Sequence, residues 1–211
     1  MQSIDKELDY LNQMVLKMTD LVEKNMKIAQ DFYLTKKSYL EINDDLVDKY
    51  ERLVEETCLD IMIKERPFAK DLRRLTGILT LVEDLERIGD HAEDIYNFTK
   101  KLIVSKCSID FDINELFETV IKMFYDSIKS FINKDEKLAQ EVINRDDFVD
   151  NLYEKKLEEL IKKWQNKDES SFAIYTTLVV KYLERIADHS VNIAEWVIYI
   201  LKGFYKDKQI F

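Results

Sequence analysis

The sequence predicts an all-α protein of two tandem three-helix bundles related by internal duplication, in residues 1–106 and 107–211. Apolar residues recur at alternating steps of three and four along most of the 211 residues, as on one face of a helix. Only three glycines and one proline occur, too few for the turns of a multi-stranded sheet. An acidic heptapeptide occurs twice, which indicates a duplication.

Three helices are predicted in the first half. One apolar seam runs from Ile4 to Phe32, and a second runs from Leu46 to Ile61. Pro67 is predicted to separate the second helix from the third, because proline lacks the amide hydrogen that a helix interior requires. The apolar stripe of the third helix consists of Ile78, Leu81, Leu85, Ile88, Ala92, Ile95, Thr99 and Leu102.

The second half repeats this order. Helices are predicted over residues 112–133, 135–165 and 170–204, and Gly203 is expected to end the last one. The heptapeptide LERIGDH at residues 85–91 matches LERIADH 98 residues later at six of seven positions. The duplication therefore includes the whole third helix of each half.

Acidic residues stand four positions apart on the second and third helices of each half. Glu86 and Asp90 lie on one helix face about 5–6 Å apart, and Glu184 and Asp188 repeat the pair. Two carboxylates about 6 Å apart repel by roughly 3 kcal/mol at an effective dielectric constant near 20, and a bound cation would remove that repulsion. The predicted metal ligands are Asp44, Asp48, Glu86, Asp90 and Asp94 in the first half, and Asp146, Asp150, Glu184, Asp188 and Asn192 in the second.

Ligands that are all oxygen atoms favour hard cations. We expect divalent or trivalent metal ions, and the residues leave iron, manganese, magnesium and zinc open. Most acidic runs on helices are solvated faces, and we expect Glu83, Asp84 and Glu93 to be of that kind. In the second half Lys181 replaces the carboxylate of Glu83.

The two histidines follow the acidic ladders closely. His91 and His189 come one residue after a ladder aspartate, which turns them about 100° away from the carboxylates. We expect them to hydrogen-bond beside the metal sites or to be exposed. Arg87 and Arg185 are expected to pair with neighbouring acids. Gly89 is small enough to let a facing helix approach closely.

Composition and motifs exclude several classes of function. A formal net charge of −10 disfavours direct binding of nucleic acid. Cys58 and Cys107 lack the CxxC spacing of a zinc knuckle. No stretch approaches the roughly 20 apolar residues of a membrane span, and no secretory signal is visible, so we predict a cytoplasmic protein. No nucleophile arrangement or glycine-rich phosphate loop is found, and we predict that the protein is not an enzyme.

Two alternatives to a metal-binding regulator remain open. Carboxylate-bridged di-iron enzymes also carry acids on packed helices, but they use Glu-x-x-His, whereas His91 follows Glu86 by five positions. A helical scaffold without metal is the other alternative. It predicts that removal of Asp90 or Asp188 changes neither binding nor function.

Three segments resemble the PhoU family, and the resemblance extends over nearly the full length. They are residues 66–73 (RPFAKDLR), 85–95 (LERIGDHAEDI) and 182–195 (YLERIADHSVNIAE). The chain departs from the family pattern at Ala187, where glycine is expected, and at Asp94, where asparagine is common. The change at Asp94 would add one ligand to the first metal site.

The resemblance implies two tandem three-helix bundles, assembly as a homodimer, and metal ions or clusters held by E(D)xxxD pairs. It also implies a negative regulator that couples the phosphate-specific ABC transporter to a phosphate-sensing histidine kinase. Relatives serve other phosphate carriers, so an accessory regulator of such a carrier is a further alternative. Peripheral membrane association is expected only through these partners.

Overall fold

The computed structural model describes residues 2–37, 40–104, 111–164, 170–205 and 208–209. These residues form seven helices and one antiparallel strand pair, which confirms the all-α fold class. The elements are α1 (Gln2–Thr35), α2 (Asp45–Glu65), α3 (Lys70–Val104), α4 (Asn114–Asn133), α5 (Glu136–Ile143), α6 (Asp146–Trp164), α7 (Ser170–Lys202), β1 (Phe204–Tyr205) and β2 (Lys208–Gln209). Among the described helices, none combines the length and apolarity needed to pass through a bilayer.

The first bundle consists of α1, α2 and α3, as the periodicity predicts. The apolar seam of α1 is buried against the other two helices, and the α3 stripe from Ile78 to Leu102 is buried as well. Pro67 lies between the end of α2 at Glu65 and the start of α3 at Lys70, which confirms the predicted break. The two helices therefore run antiparallel and face each other along their lengths.

The second bundle differs from the prediction in one respect. The single helix expected over residues 135–165 is wrong, because α5 ends at Ile143 and α6 begins at Asp146. The side chain of Asp135 caps α5 by accepting from the backbone amides of Lys137 and Leu138, both at 3.1 Å. The guanidinium of Arg145, in the break, then bonds to Asp126 on α4 at 2.5 Å. This ion pair joins the break to α4, and the buried side chains of Ala139 and Val142 pack α5 against the bundle.

The sequence contains a sign of this extra helix. The segment Asp44–Asp48 recurs as Asp146–Asp150, at an offset of 102 residues, while the third helices recur at 98. The second half thus has four extra residues before its acidic segment. In the first half the described residues 40–44 before α2 are not helical.

Helices α3 and α7 pack antiparallel along most of their length and join the two bundles. Near one end, a Cβ atom added to Gly77 would lie 2.4 Å from Cγ1 of Ile200. Near the other end, the rings of Phe98 and Tyr175 stack with centroids 6.1 Å apart. Buried residues from both halves form one continuous hydrophobic core.

Several predictions concern residues near the ends of the described segments. Gly203 follows α7 with φ +86°, and its amide donates to the carbonyl of Tyr199 at 2.8 Å, so it ends the helix as expected. Cys58 is a free, buried thiol. Cys107 and the predicted boundary between residues 106 and 107 lie outside the described residues.

The Leu85→Ala variant tests the assignment of the core. We expect it to lower the free energy of unfolding by about 2–5 kcal/mol, because this wholly buried side chain would leave a cavity. Ile63→Ala, at a position 74% exposed, should change that free energy by less than about 0.5 kcal/mol. Urea denaturation measures both values. Equal losses in the two variants would contradict the core assignment.

Candidate metal centre

The facing sides of α2 and α3 carry a group of six carboxylates, here called the first cluster. Its members are Asp44, Asp48, Glu51, Glu86, Asp90 and Glu93. The antiparallel course of the two helices brings Asp44 next to Asp90 and Glu51 next to Glu86. Four of the five ligands predicted in the first half thus lie together.

Gly89 allows the two helices to approach closely at this cluster. A Cβ atom at this position would lie 2.9 Å from Oδ1 of Asp44 and 3.3 Å from Cγ1 of Val47. A larger residue here would force the Asp44 carboxylate to move and would crowd the side chain of Val47. The predicted role of this glycine in close packing is confirmed.

Loss of water and then mutual repulsion raise the pKa values of four members of the first cluster. Burial, followed by the adjacent Asp90, raises the pKa of Asp44 to about 8. Burial, followed by Glu86, raises the pKa of Glu51 to about 7. The pKa values of Glu86 and Glu93 are raised by burial and then by Asp90. A cation in this cluster would stabilise the ionised forms that burial disfavours.

Two members of the first cluster are not among the predicted ligands. Glu51 follows Asp48 by three residues, and Glu93 follows Asp90 by three, so each continues its ladder at helical spacing. This spacing could have identified both residues as members of the cluster from the sequence alone. The expectation that Glu93 is simply solvated is wrong, because it is half-buried and adjacent to Asp90.

The second cluster is the equivalent group between α6 and α7. It consists of Asp146, Asp150, Glu184 and Asp188. Burial, followed by Glu184 and Asp146, raises the pKa of Asp188 to about 6. The Lys181 ammonium bonds to Oε2 of Glu184 at 2.5 Å and supplies a positive charge inside this cluster. The first cluster has the acid Glu83 at the matching position, so the two clusters differ in their internal charge balance.

Two of the predicted ligands face the α3–α7 interface instead. The amide of Asn192 donates to Oδ1 of Asp84 at 3.1 Å. Asp94 accepts a hydrogen bond from the hydroxyl of Tyr182, which opposes the rise in its pKa caused by burial. Each follows a ladder aspartate by four residues, a net rotation of about 40°, and so lies at the border of the ladder face, beside the facing long helix. That Asp94 and Asn192 bind a metal ion stays a prediction.

The histidines also lie in the α3–α7 interface, where their rings are 5.4 Å apart. Nδ1 of His189 donates to Oδ1 of Asp84 at 2.8 Å, and Nε2 of His91 accepts from Arg185 at 3.1 Å. Burial, followed by the charges of His189 and Arg185, lowers the pKa of His91 to about 4, so this ring is neutral near pH 7.

These contacts correct two expectations. Asp84 is only 8% exposed and hydrogen-bonded, so its prediction as a solvated acid is wrong. Arg185 bonds to His91 across the interface instead of to a neighbouring acid. Arg87 does pair with its neighbours, at 3.5 Å from Glu86 and 3.4 Å from Asp90. Glu83 is exposed, as expected.

The oxygen atoms of both clusters fit a hard cation in their chemistry. Oδ1 of Asp44 and Oδ1 of Asp146 are buried without a hydrogen-bond partner, and the two residues occupy equivalent positions in the repeats. A buried acceptor of this kind is normally satisfied by a donor, a water or an ion. In the described part of the chain, no three acidic, histidine or cysteine side chains already surround a common point. The fit therefore rests on charge and on these two oxygens.

The raised pKa of Asp44 predicts how pH affects the metal-free protein. Its pKa is about 8 in the folded state and near 3.8 without the cluster, so the folded state binds the extra proton between these values. Stability should therefore fall as pH rises from about 4 to about 8. We expect Asp44→Asn to flatten this dependence of stability on pH and to raise stability at pH about 8. A smaller dependence should remain in this variant, because the pKa values of Glu51 and Asp188 are also raised.

Asp45→Asn is the matched control, because Asp45 is exposed and adjacent in sequence. Urea unfolding in the presence of a chelator, at pH about 5 and about 8, measures the effect. If Asp44→Asn and Asp45→Asn kept the wild-type slope alike, the repulsion assigned to Asp44 would be wrong.

Both halves of the chain match the PhoU domain model, over residues 15–99 and 113–197. The matched ranges are offset by the same 98 residues as the two heptapeptides. A phosphate-specific transport system accessory protein PhoU homolog from Aquifex aeolicus is 35% identical over 207 residues, which cover 94% of this chain and 92% of that protein. The corresponding protein of Clostridium acetobutylicum is 30% identical over 206 residues and covers 94% of both chains.

Solved structures agree with these sequence relatives. The crystal structure of PhoU from Pseudomonas aeruginosa matches with a TM-score of 0.90 and 31% identity over 95% of this chain and 99% of that one. A phosphate transport system regulatory protein PhoU from Streptococcus pneumoniae has the same fold, with a TM-score of 0.84 at 22% identity. Because the domain model matches both halves and the relatives align over nearly the whole length, the chain belongs to the PhoU family.

Proposed function

We propose that this protein is a metal-binding accessory regulator of the phosphate-specific transport system. The observation that carries the proposal is the alignment of nearly the whole chain with proteins named as accessory proteins of that system. Both copies of the domain are present, and the chain is similar in length to those relatives. We place it as a negative regulator that acts on the ABC transporter and on a phosphate-sensing histidine kinase.

In this proposal the two clusters hold divalent or trivalent cations. Asp44, Asp48, Glu86 and Asp90 would provide the ligands in the first cluster, with Glu51 and Glu93 at its edges. When bound, the cation supplies positive charge beyond that of Arg87, which pairs with Glu86 and Asp90, and of Arg52, which lies 3.9 Å from Asp48. Support comes from the raised pKa values and from the unpartnered Oδ1 of Asp44. Iron, manganese, magnesium and zinc all stay open as its identity.

The first cluster, with six carboxylates against four, should bind a cation more strongly than the second, although Arg52 and Arg87 contact three of the six at 3.4–3.9 Å. Lys181 already neutralises one carboxylate in the second cluster through its bond to Glu184. A cation that binds there must compete with this internal positive charge. The smaller rise in the pKa of Asp188, compared with that of Asp44, agrees with a better balanced cluster.

Metal binding would affect regulation through the stiffness of the α2–α3 surface. Repelling carboxylates favour separation of the two helices, and a shared cation would hold them together. The transporter or the kinase would then recognise the closed acidic face. We place the protein as a homodimer in the cytoplasm, with each partner bound at the membrane.

A di-iron enzyme is the weaker alternative. Enzymes of that class use histidine ligands supplied next to the glutamates. Here Nε2 of His91 is occupied by Arg185, and Nδ1 of His189 by Asp84, in the interface between α3 and α7. These contacts favour a regulator without catalytic activity.

The metal proposal predicts different affinities for three variants. We expect Asp44→Asn combined with Asp90→Asn to weaken manganese binding by at least about tenfold, because loss of even an outer partner of a metal site has such an effect. The matched Asp146→Asn and Asp188→Asn pair should abolish only a weaker site, and Asp45→Asn should change nothing. Calorimetric titration with manganese, followed by elemental analysis after dialysis, measures the two sites. Unchanged manganese binding in both paired variants would show that these carboxylates are not metal ligands.

The regulatory proposal predicts a phenotype in the living cell. Deletion of the gene should leave phosphate uptake and kinase-dependent transcription high in phosphate-rich medium. Wild type and Asp45→Asn should restore repression, whereas the Asp44→Asn, Asp90→Asn variant should not. Radiolabelled phosphate uptake and a transcriptional reporter measure the two outputs. Normal repression in the deletion strain would reject the regulatory role, and full rescue by the paired variant would reject only the role of metal.

A further inference from the structure

The connection between α2 and α3 forms an exposed apolar tip. We call residues 63–74 the hairpin tip. Phe68 is 88% exposed, Ile63 is 74% exposed and Leu72 is 41% exposed, so three large apolar side chains face solvent at one end of the helical pair. Adjacent exposed apolar groups on a protein surface commonly mark a site of interaction.

The backbone holds Phe68 outward in a defined turn. Arg66 has φ +45° and Ala69 has φ +38°, in the left-handed region that residues other than glycine rarely adopt. The carbonyl of Phe68 accepts from the amide of Asp71, and the carbonyl of Ala69 accepts from Arg73, both at 3.0 Å. Arg66 is the left-handed C-cap of α2, as Lys134 is of α4, and Ala69 is the further residue in this region that fixes the turn before α3. The result is an aromatic ring projected away from the fold.

The charge of the hairpin tip is opposite to that of the whole protein. The tip contains five basic residues and two acidic ones, in a chain with a formal net charge of −10. Arg66 and Lys70 are exposed beside Phe68, while Lys64 pairs with Asp60 at 2.7 Å. The first cluster lies far away, because Asp48 and Glu65 are separated by roughly 25 Å along α2. This separation exceeds the Debye length of about 8 Å in physiological salt, so the cluster affects the tip little.

We propose that the hairpin tip binds directly to an anionic lipid bilayer. Phe68 would enter the boundary between headgroups and acyl chains, with Ile63 and Leu72 beside it, and Arg66 and Lys70 would contact lipid phosphates. Membrane-surface segments combine an apolar group with a basic rim in this way. The inference goes beyond the proposed function, in which the protein reaches the membrane only through protein partners.

The shape and charge of the hairpin tip favour a bilayer as its occupant. The tip is a convex end of a helical hairpin, and Phe68 is almost free of contact with its own chain. A fluid bilayer accepts a projecting ring without a matching pocket, and its anionic headgroups complement the basic rim. Phe148 on α6 provides the contrast: it is 54% exposed but lies next to Asp147 and close to Asp150, which anionic lipids would repel.

Vesicle co-sedimentation of the full-length protein tests this proposal without any transporter or kinase. The vesicles contain phosphatidylcholine alone or a mixture with phosphatidylglycerol. We expect binding to the anionic vesicles only, weakened by added salt. Phe68→Ser should lower the apparent affinity about tenfold, because the ring no longer leaves water, and Lys70→Gln about fivefold through loss of one charge. Phe148→Ser, the matched aromatic control, should bind like the wild type.

Circular dichroism and thermal melting establish that all three variants fold, as their exposed positions require. Equal binding of the wild type to both kinds of vesicle would overturn the assignment of the basic rim. No binding to either kind of vesicle, or equal losses of affinity in Phe68→Ser and Phe148→Ser, would contradict the proposal that the hairpin tip binds a bilayer. The exposed tip would then be a site for a protein partner. None of these results depends on phosphate regulation, so they are separable from failure of the proposed function.

Discussion

Helices α3 and α7 lie against each other for most of their length, and this contact sets the role of every functional side chain on them. Each long helix turns its small and aromatic residues toward the other, as Gly77 and Phe98 do on α3. A residue one position further is rotated by about 100° and faces a different neighbour. The ladder carboxylates consequently face α2 or α6, while the histidines that follow them are enclosed between the long helices.

The duplicated interface is not symmetrical in its chemistry. Asp84 and Tyr182 occupy equivalent positions 98 residues apart, and each faces the histidine of the other half. Asp84 bonds to His189 and Asn192, whereas Tyr182 packs on His91 and bonds to Asp94. A second aspartate in place of Tyr182 would bury another carboxyl group, which is costly without a full set of partners. Divergence after duplication thus left one deeply buried carboxylate where exact symmetry would leave two.

A similar asymmetry divides the two acidic clusters. Lys181 bonds to Glu184 at 2.5 Å and partly neutralises the four acids of the second cluster, whereas the six acids of the first cluster have only the longer contacts of Arg87 and Arg52, at 3.4–3.9 Å. The same chain thus presents a strongly anionic face between α2 and α3 and a cationic, apolar tip at the end of that helical pair. These features lie on the same helical hairpin, separated by roughly 25 Å along α2. In our proposals the face binds cation and partners, and the tip orients the hairpin toward the membrane that contains them.

Much of this arrangement follows from local rules of the sequence. Periodicity identifies the helices and their buried stripes, and the repeated heptapeptide reveals the duplication and most of the clustered acids, because residues three or four apart share a helix face wherever the helix is placed. The break between α5 and α6 lies where Arg145 pairs with Asp126 on α4, a contact between residues of different elements. The burial of Asp84, the turn of Asn192 away from the ladder, and the contact of Arg185 with His91 likewise depend on which helix lies opposite. Spacing along the chain specifies the direction of a side chain, but the neighbour in that direction is supplied by packing between residues distant in sequence.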